Sequence, residues 1–223
     1  MDFTDVVRTT FAARQFTEEA LPDAVLHEIL DEARFAPSGG NRQPWRVVVV
    51  ESEAKRARLA ELIVPTMRRY LAERSAGENP CNTIEPSAVT DAEVARSPDP
   101  TPMAHLLVGA PALLMVFVDL RVVASFDRDL PRVGVISGAS IYPFVWNILL
   151  AARNRGYGGT ITTFAAGAEP EVQKLFDVAP HMAVAAMLPL GRPLKQLTKL
   201  RRKAVEEFAT IDEAAGEPLR PAG

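Results

Sequence analysis

The residues best suited to chemistry lie in one short run, Ala36-Pro37-Ser38-Gly39-Gly40-Asn41-Arg42-Gln43-Pro44-Trp45. Ser38, Asn41 and Gln43 offer a hydroxyl and two amides, donors and acceptors without formal charge. Gly39 and Gly40 let backbone approach a ligand closely. Such a mixture suits a flat, heteroatom-edged ring better than a metal or a proton-transfer site. Ordinary turn chemistry accounts for the same composition with no ligand at all, and bracing of their own loop is the alternative reading of Asn41 and Gln43. Other chemistries lack their residues. There is no G-x-G-x-x-G after a strand, no G-x-x-x-x-G-K-[ST] loop and no G-x-S-x-G elbow. The carboxylates are scattered, with no pair placed for acid–base work. Any reaction here must be carried by a cofactor that the protein holds and tunes.

Composition narrows the field further. The 223 residues are 48% hydrophobic, enough for one domain with a sizeable core. The net charge of −3 and the lack of a long basic block give nucleic-acid binding no electrostatic support. The basic run Lys199, Arg201, Arg202, Lys203 reads as a local anion site or a solvated face. Cys81 stands alone, so no intramolecular disulfide is expected. His27, His105 and His181 lack metal-ligand spacing, so no metal is expected either. Asp2 and Asp5 interrupt any charged-then-apolar leader, and no apolar run reaches about 18 residues. The expectation is a cytoplasmic protein with no membrane span.

The elements that must position the loop follow from periodicity. Val25, Leu26, Ile29, Leu30 and Ala33 recur at helical spacing over Pro22 to Phe35, with Thr17 as a candidate cap and Pro22 in the first turn. Strands are expected at Val47–Val50, Leu113–Val118 and Val184–Leu188. Helices are expected at Asp5–Thr10, Ala54–Ala76, Glu169–Phe176 and Leu200–Phe208. Phe11–Phe16 reads as extended and Gly156–Phe164 as a glycine-rich turn. Gly134–Arg155 reads as one long buried helix kinked at Pro143, suited to a subunit interface. Between Gly77 and His105, five prolines break any regular element, so that stretch reads as a lid or specificity segment, or as an insertion without a role. The fold class is α+β, a three-layer α/β sandwich. One domain spans residues 1–211 with the lid at 77–105, and a tail covers 212–223. Trp45 leads straight into a strand and is expected in the core.

Four separated pieces fit one pattern: Thr10-Phe-Ala-Ala-Arg14-Gln-Phe16, the Ala36–Trp45 loop, the Gly156–Phe164 turn, and Leu190-Gly191-Arg192-Pro193 followed by Lys199-Leu-Arg201. In this order and at these separations the chain resembles the nitroreductase family of FMN-dependent oxidoreductases, from about Asp2 to about Ile211. The resemblance implies an intertwined homodimer with FMN at the subunit seam. It implies ping-pong hydride transfer from NADH or NADPH, through flavin N5, to a small-molecule acceptor such as a nitroaromatic or quinone.

The resemblance also implies site residues. The family's opening basic, serine and basic positions fall on Thr10, Ala12 and Arg14, so only the last charge is kept. Arg14 would set a fixed cation beside the pyrimidine edge of the flavin, where the reduced ring gathers negative charge. Lys199 and Arg201 match the family's phosphate-binding pair, and backbone N–H groups around Ala12 and Ala13 are further candidates. Pro37, Ser38, Gly39, Asn41 and Gln43 match the loop that enters from the partner, with Gly39 replacing a common second serine. Ile161, Thr162 and Thr163 occupy the turn whose backbone N–H meets N5. Four alternatives stay open: a flavin-binding or sensor protein with little turnover, a deazaflavin-linked relative, a specialised dehalogenase or flavin-fragmenting relative, and a helical α/β binding domain with no flavin.

Overall fold

The computed structural model describes residues 1–221; residues 222 and 223, the end of the expected tail, lie outside the described residues. Four antiparallel strands make one sheet: β1 (Trp45–Val49), β2 (Ala112–Asp119), β3 (Gly158–Gly159) and β4 (Met182–Gly191), in the order β1-β2-β4-β3. Ala112 to Val118 are all buried, because both faces of β2 are covered. Leu114, Val116 and Val118 meet the layer of α2 (Asp23–Ala33) and α6 (Tyr142–Asn154). Leu113, Met115 and Phe117 meet α3 (Glu53–Ser75), α5 (Thr101–Val108) and α7 (Glu169–Phe176). Period-two alternation therefore divides one apolar run between two cores. Each fully buried side chain of this kind is worth about 1.5–3 kcal/mol over its exposed state. The result is the three-layer α+β sandwich.

Register ties Trp45 to Val118 and Leu114 to Leu188. Ala185 is an extra residue in β4: Val116 faces Ala186 while Phe117 faces Val184. This bulge turns both Ala185 and Ala186 toward the α2–α6 core. Trp45 stacks on Phe144 of α6, with ring centroids 4.6 Å apart.

Several elements differ from those the sequence suggests. Gly158–Gly159 is a strand rather than a turn, pairing with Gly191 and Leu190. The Gly77–His105 stretch is not free of regular structure. It holds α4 (Asp91–Arg96) and the start of α5. Thr90 and Glu93 cap α4 reciprocally, and Pro100 and Pro102 sit at the start of α5. Proline is tolerated there because the first N–H groups of a helix have no intrahelical partner. For the same reason Pro143 opens α6 rather than kinking it, and residues 136–140 form a separate 3₁₀ turn. The proline inside a helix is Pro65 of α3, on an exposed position. α2 begins after Pro22 with no side-chain cap, and the Thr17 hydroxyl accepts from Glu19 N–H instead. The expected helix at Leu200–Phe208 is only a 3₁₀ turn at Val205–Glu207.

Two arginines clamp the layers. Arg56 of α3 donates to the carbonyls of Val50, Val108 and Ala110 at 2.6–2.8 Å. Arg155, after α6, grips Glu28 and Glu32 of α2.

Candidate active site

The first candidate residues follow α1 (Phe3–Thr9). Thr10 ends that helix and is buried, with its hydroxyl donating to the carbonyl of Val6 at 2.7 Å. From there the chain runs extended beside β3. Ala12 bridges Gly159, and Ala13 N–H donates to the Gly159 carbonyl at 2.9 Å. The backbone N–H of Ala13 is therefore already engaged, which removes it from the donors expected to face a ligand. Farther along, Thr17 N–H donates to Arg192 O at 2.9 Å and Leu194 N–H to Gln15 O at 3.1 Å. The Gln196 amide donates to Thr9 O at 2.9 Å. Residues 9–17 are thus held by β3 and by the 192–196 segment together. Lys199 and Arg201 lie just beyond this zipper, both exposed. Neither makes an ion pair among the described residues.

Gly159 makes the close approach possible. A Cβ there would lie 2.4 Å from Leu190 Cδ2 and 2.5 Å from the Pro189 carbonyl. Only glycine lets β3 sit against β4 at this point. After β3, Thr162 and Met187 exchange backbone hydrogen bonds of 3.0 and 2.8 Å. Thr162 N–H is consequently occupied. The N–H groups of Ile161 and Thr163 have no hydrogen-bond partner among the described residues. The Thr162 hydroxyl oxygen is buried with no partner either.

Arg14, Ile161, Thr162 and Thr163 line one cavity of about 810 Å³. Its opposite wall is Thr66, Met67, Tyr70 and Arg74 of α3, Cys81 beyond it, and Met103 and Leu107 of α5. Gly167 lets the two walls meet, because a Cβ there would fall 2.1 Å from Thr66 Oγ1. Tyr70 packs edge-on to Phe164, with centroids 5.5 Å apart. Partial burial pushes the Cys81 thiol up, and the Glu73 carboxylate adds to the shift. Cys81 forms part of the cavity wall. Thr66, Tyr70 and Arg74 are wall residues that sequence reasoning missed. Their signal was a four-residue spacing of polar side chains on one face of an otherwise charged helix.

The Ala36–Trp45 loop lies elsewhere in the single chain. Pro37, Ser38, Gly39, Asn41 and Gln43 do not line the Arg14 cavity. The Ser38 hydroxyl accepts from Gln43 N–H at 2.9 Å, and the Gln43 amide donates to the Asn41 side chain at 3.2 Å. Asn41 and Gln43 have φ of 52° and 48°. These amides hold a left-handed backbone in place, the bracing role open from the sequence. Gly39 N–H donates to the Ser140 hydroxyl at 3.1 Å, tying the loop to the start of α6. Arg42 and Gln43 line a second cleft of about 590 Å³ with Arg46, Asp119, Arg121 and His181. Among the described residues no cluster of His, Cys, Asp and Glu could hold a metal ion. No helix of the described residues is long and apolar enough to cross a membrane.

Fold and cavity together define a class. The nitroreductase family model matches residues 7–192, and the chain belongs to that family. It is 24% identical to iodotyrosine deiodinase 1 of Mus musculus over 209 residues, spanning 93% of this chain and 68% of that protein. The fold is similar to that of a BluB-like flavoprotein from Clostridium difficile 630, with a TM-score of 0.70 and 21% identity over 96% of this chain and 100% of that one. It is also similar to an iodotyrosine deiodinase solved with FMN and 3-iodo-L-tyrosine. There the TM-score is 0.62 with 26% identity, over 92% of this chain and 96% of that one.

Proposed function

We propose that this chain is an FMN-dependent oxidoreductase that takes electrons from NADH or NADPH and passes them to a small aromatic or quinone-like acceptor. The observation that carries the reading is the cavity uniting Arg14 with the Ile161–Thr163 turn. The donor set fits the group. Ile161 and Thr163 line the cavity with backbone N–H groups that have no partner among the described residues, and acceptor atoms of a ring would satisfy such donors. Bound FMN supplies a ring that accepts a hydride and releases electrons to a second substrate. Arg14 supplies the fixed positive charge that favours an anionic ring. Lys199 and Arg201, unpaired and tethered beside Thr9 through Gln196, are the candidates for the phosphate. The Thr10 hydroxyl is directed into its own helix, and Ala12 contributes through its backbone position alone.

Homodimerisation belongs to the same proposal. Val135 is 63% exposed, and it lines one open cleft beside α6 with Tyr142 and Trp146. An apolar surface of this kind is what a second copy would cover. The Pro37–Gln43 loop would then meet the cavity of the other subunit, as the family resemblance implies. A cytoplasmic location and the lid role of residues 77–105 are part of this reading. Reductive dehalogenation is the second reading, favoured by the deiodinase similarity over 93% of the chain.

The test is an absorbance scan of the purified protein, then anaerobic titration with each nicotinamide. A flavin spectrum that bleaches and returns on adding a quinone or nitroaromatic supports the first reading. Return only with a halogenated phenol supports the second. A protein that stays colourless after reconstitution with excess FMN refutes both.

A further inference from the structure

The wall of the cavity built by α3 differs in chemistry from the wall that carries Arg14. Five arginines project from α3, and four are committed. Arg56 donates to three carbonyls, Arg58 pairs with Glu61, Arg68 with Asp99, and Arg69 with Asp91 and Glu73. Arg74 lines the cavity and makes no hydrogen bond or ion pair through its side chain among the described residues. Along the same face burial falls steadily: Met67 is buried, Tyr70 half-buried and Arg74 exposed. An apolar, sulfur-bearing interior therefore opens at a guanidinium. Met67 and Met103 suit an aromatic ring. The lining holds two guanidiniums and, among the described residues, no carboxylate. The adjacent Glu73 is turned away, accepting from Cys81 N–H at 2.7 Å and facing Arg69.

We propose that this cavity selects an aromatic acceptor bearing a carboxylate or similar anionic group, with the ring among Met67, Tyr70 and Met103 and the anion on Arg74. The proposal rests on reading the cavity as the active site. It also separates this chain from the recognition of free amino acids. The ammonium of an iodotyrosine-like zwitterion would meet guanidinium and, among the described residues that line the cavity in one protomer, no carboxylate. An unpaired charge at a pocket mouth gives selectivity by attraction to one ligand and repulsion of another.

The test compares 4-nitrobenzoate with its neutral isostere 4-nitrobenzamide, and with 3-iodotyrosine, by equilibrium titration calorimetry on the purified protein with its flavin. The expected result is 4-nitrobenzoate bound about three- to fivefold more tightly than the amide, the size of one ion pair at an exposed site. Arg74→Gln should remove most of that difference by weakening 4-nitrobenzoate more than the amide, while Arg74→Lys should keep part of it. Arg74 is exposed, so both variants should fold, with circular dichroism as the check. Equal affinity for the two nitro compounds, a preference undiminished by Arg74→Gln, or tightest binding of 3-iodotyrosine each overturns the proposal. A colourless protein that nonetheless discriminates the pair through Arg74 would sink the oxidoreductase reading while leaving the anion-selective cavity standing.

Discussion

Gly159→Ala is the sharpest perturbation of the site. The added methyl would lie 2.4 Å from Leu190 Cδ2 and 2.5 Å from the Pro189 carbonyl oxygen. Ordinary contact needs about 3.5 Å, so β3 must retreat by about 1 Å or the sheet edge must open. The leucine tip can turn aside, but the carbonyl belongs to β4 and cannot. Overpacking of this sort costs about 1–3 kcal/mol, and the fixed oxygen argues for the upper end. For 223 residues the unfolding entropy near 60 °C is about 0.5 kcal/mol per degree, so a loss of about 3 kcal/mol lowers Tm by about 6 °C. The functional effect should exceed the stability effect. Gly159 O holds Ala13 N–H, and displacing it moves Arg14 relative to Ile161–Thr163. The assay is differential scanning fluorimetry, with flavin absorbance after desalting at a temperature well below Tm. Gly77→Ala is the control: a Cβ there meets nothing within 4 Å, though φ is +81°. Its cost should be about 1 kcal/mol, with flavin retained. A Gly159→Ala protein within about 1 °C of wild type and equally yellow would refute the role given to this contact.

Thr162→Val replaces a partnerless buried hydroxyl by an isosteric methyl, so the flavin-free protein should be equal or up to about 1 kcal/mol more stable, which thermal melts read. Arg56→Met strands three carbonyls and should cost about 3 kcal/mol in urea unfolding, with Arg56→Lys recovering only part because one ammonium cannot reach all three. Asp119 is held by Arg121 from its ordinary 3.8 down to about 2. A depressed carboxylate stabilises the fold above its unfolded value, and that contribution disappears as pH falls from about 4 to about 2. Asp119→Asn should therefore melt below wild type at pH 6, with the gap closing near pH 2. Lys199→Ala combined with Arg201→Ala should release FMN on a desalting column without lowering the Tm of the flavin-free protein; full retention would move the phosphate elsewhere.

The sequence made the frame legible wherever one force decided the outcome. Leu113–Val118 and Val184–Leu188 are apolar on both faces and had to be interior strands. Glu169–Phe176 appears with the same bounds in sequence and structure. Proline was misread because its effect depends on position within a helix. Pro102 and Pro143 start helices, whereas Pro65 is carried inside one. The short strand Gly158–Gly159 has no side chains to announce it, and only the pairing with β4 defines it. Within the site, Arg14 and Ile161–Thr163 were nameable from sequence and meet in one cavity. Thr66, Tyr70 and Arg74 were not, because polar residues on a charged helix look like a solvated face until something stands opposite. The Pro37–Gln43 loop drew two readings from its composition, and in the single chain its side chains brace their own backbone, away from that cavity.

The zipper between residues 9–17 and 192–196 has a consequence for biogenesis. Its Thr9–Gln196 contact closes a loop of 187 residues, among the most expensive closures this polypeptide can make. A ribosome delivers residue 196 long after residue 14 has left the exit tunnel. The nascent amino-terminal strip must wait, unpaired along one side, until nearly the whole chain has been translated. If the cavity is the flavin site proposed above, cofactor capture is postponed to the end of synthesis, and a chain halted before residue 192 should carry most of the sheet and none of the colour.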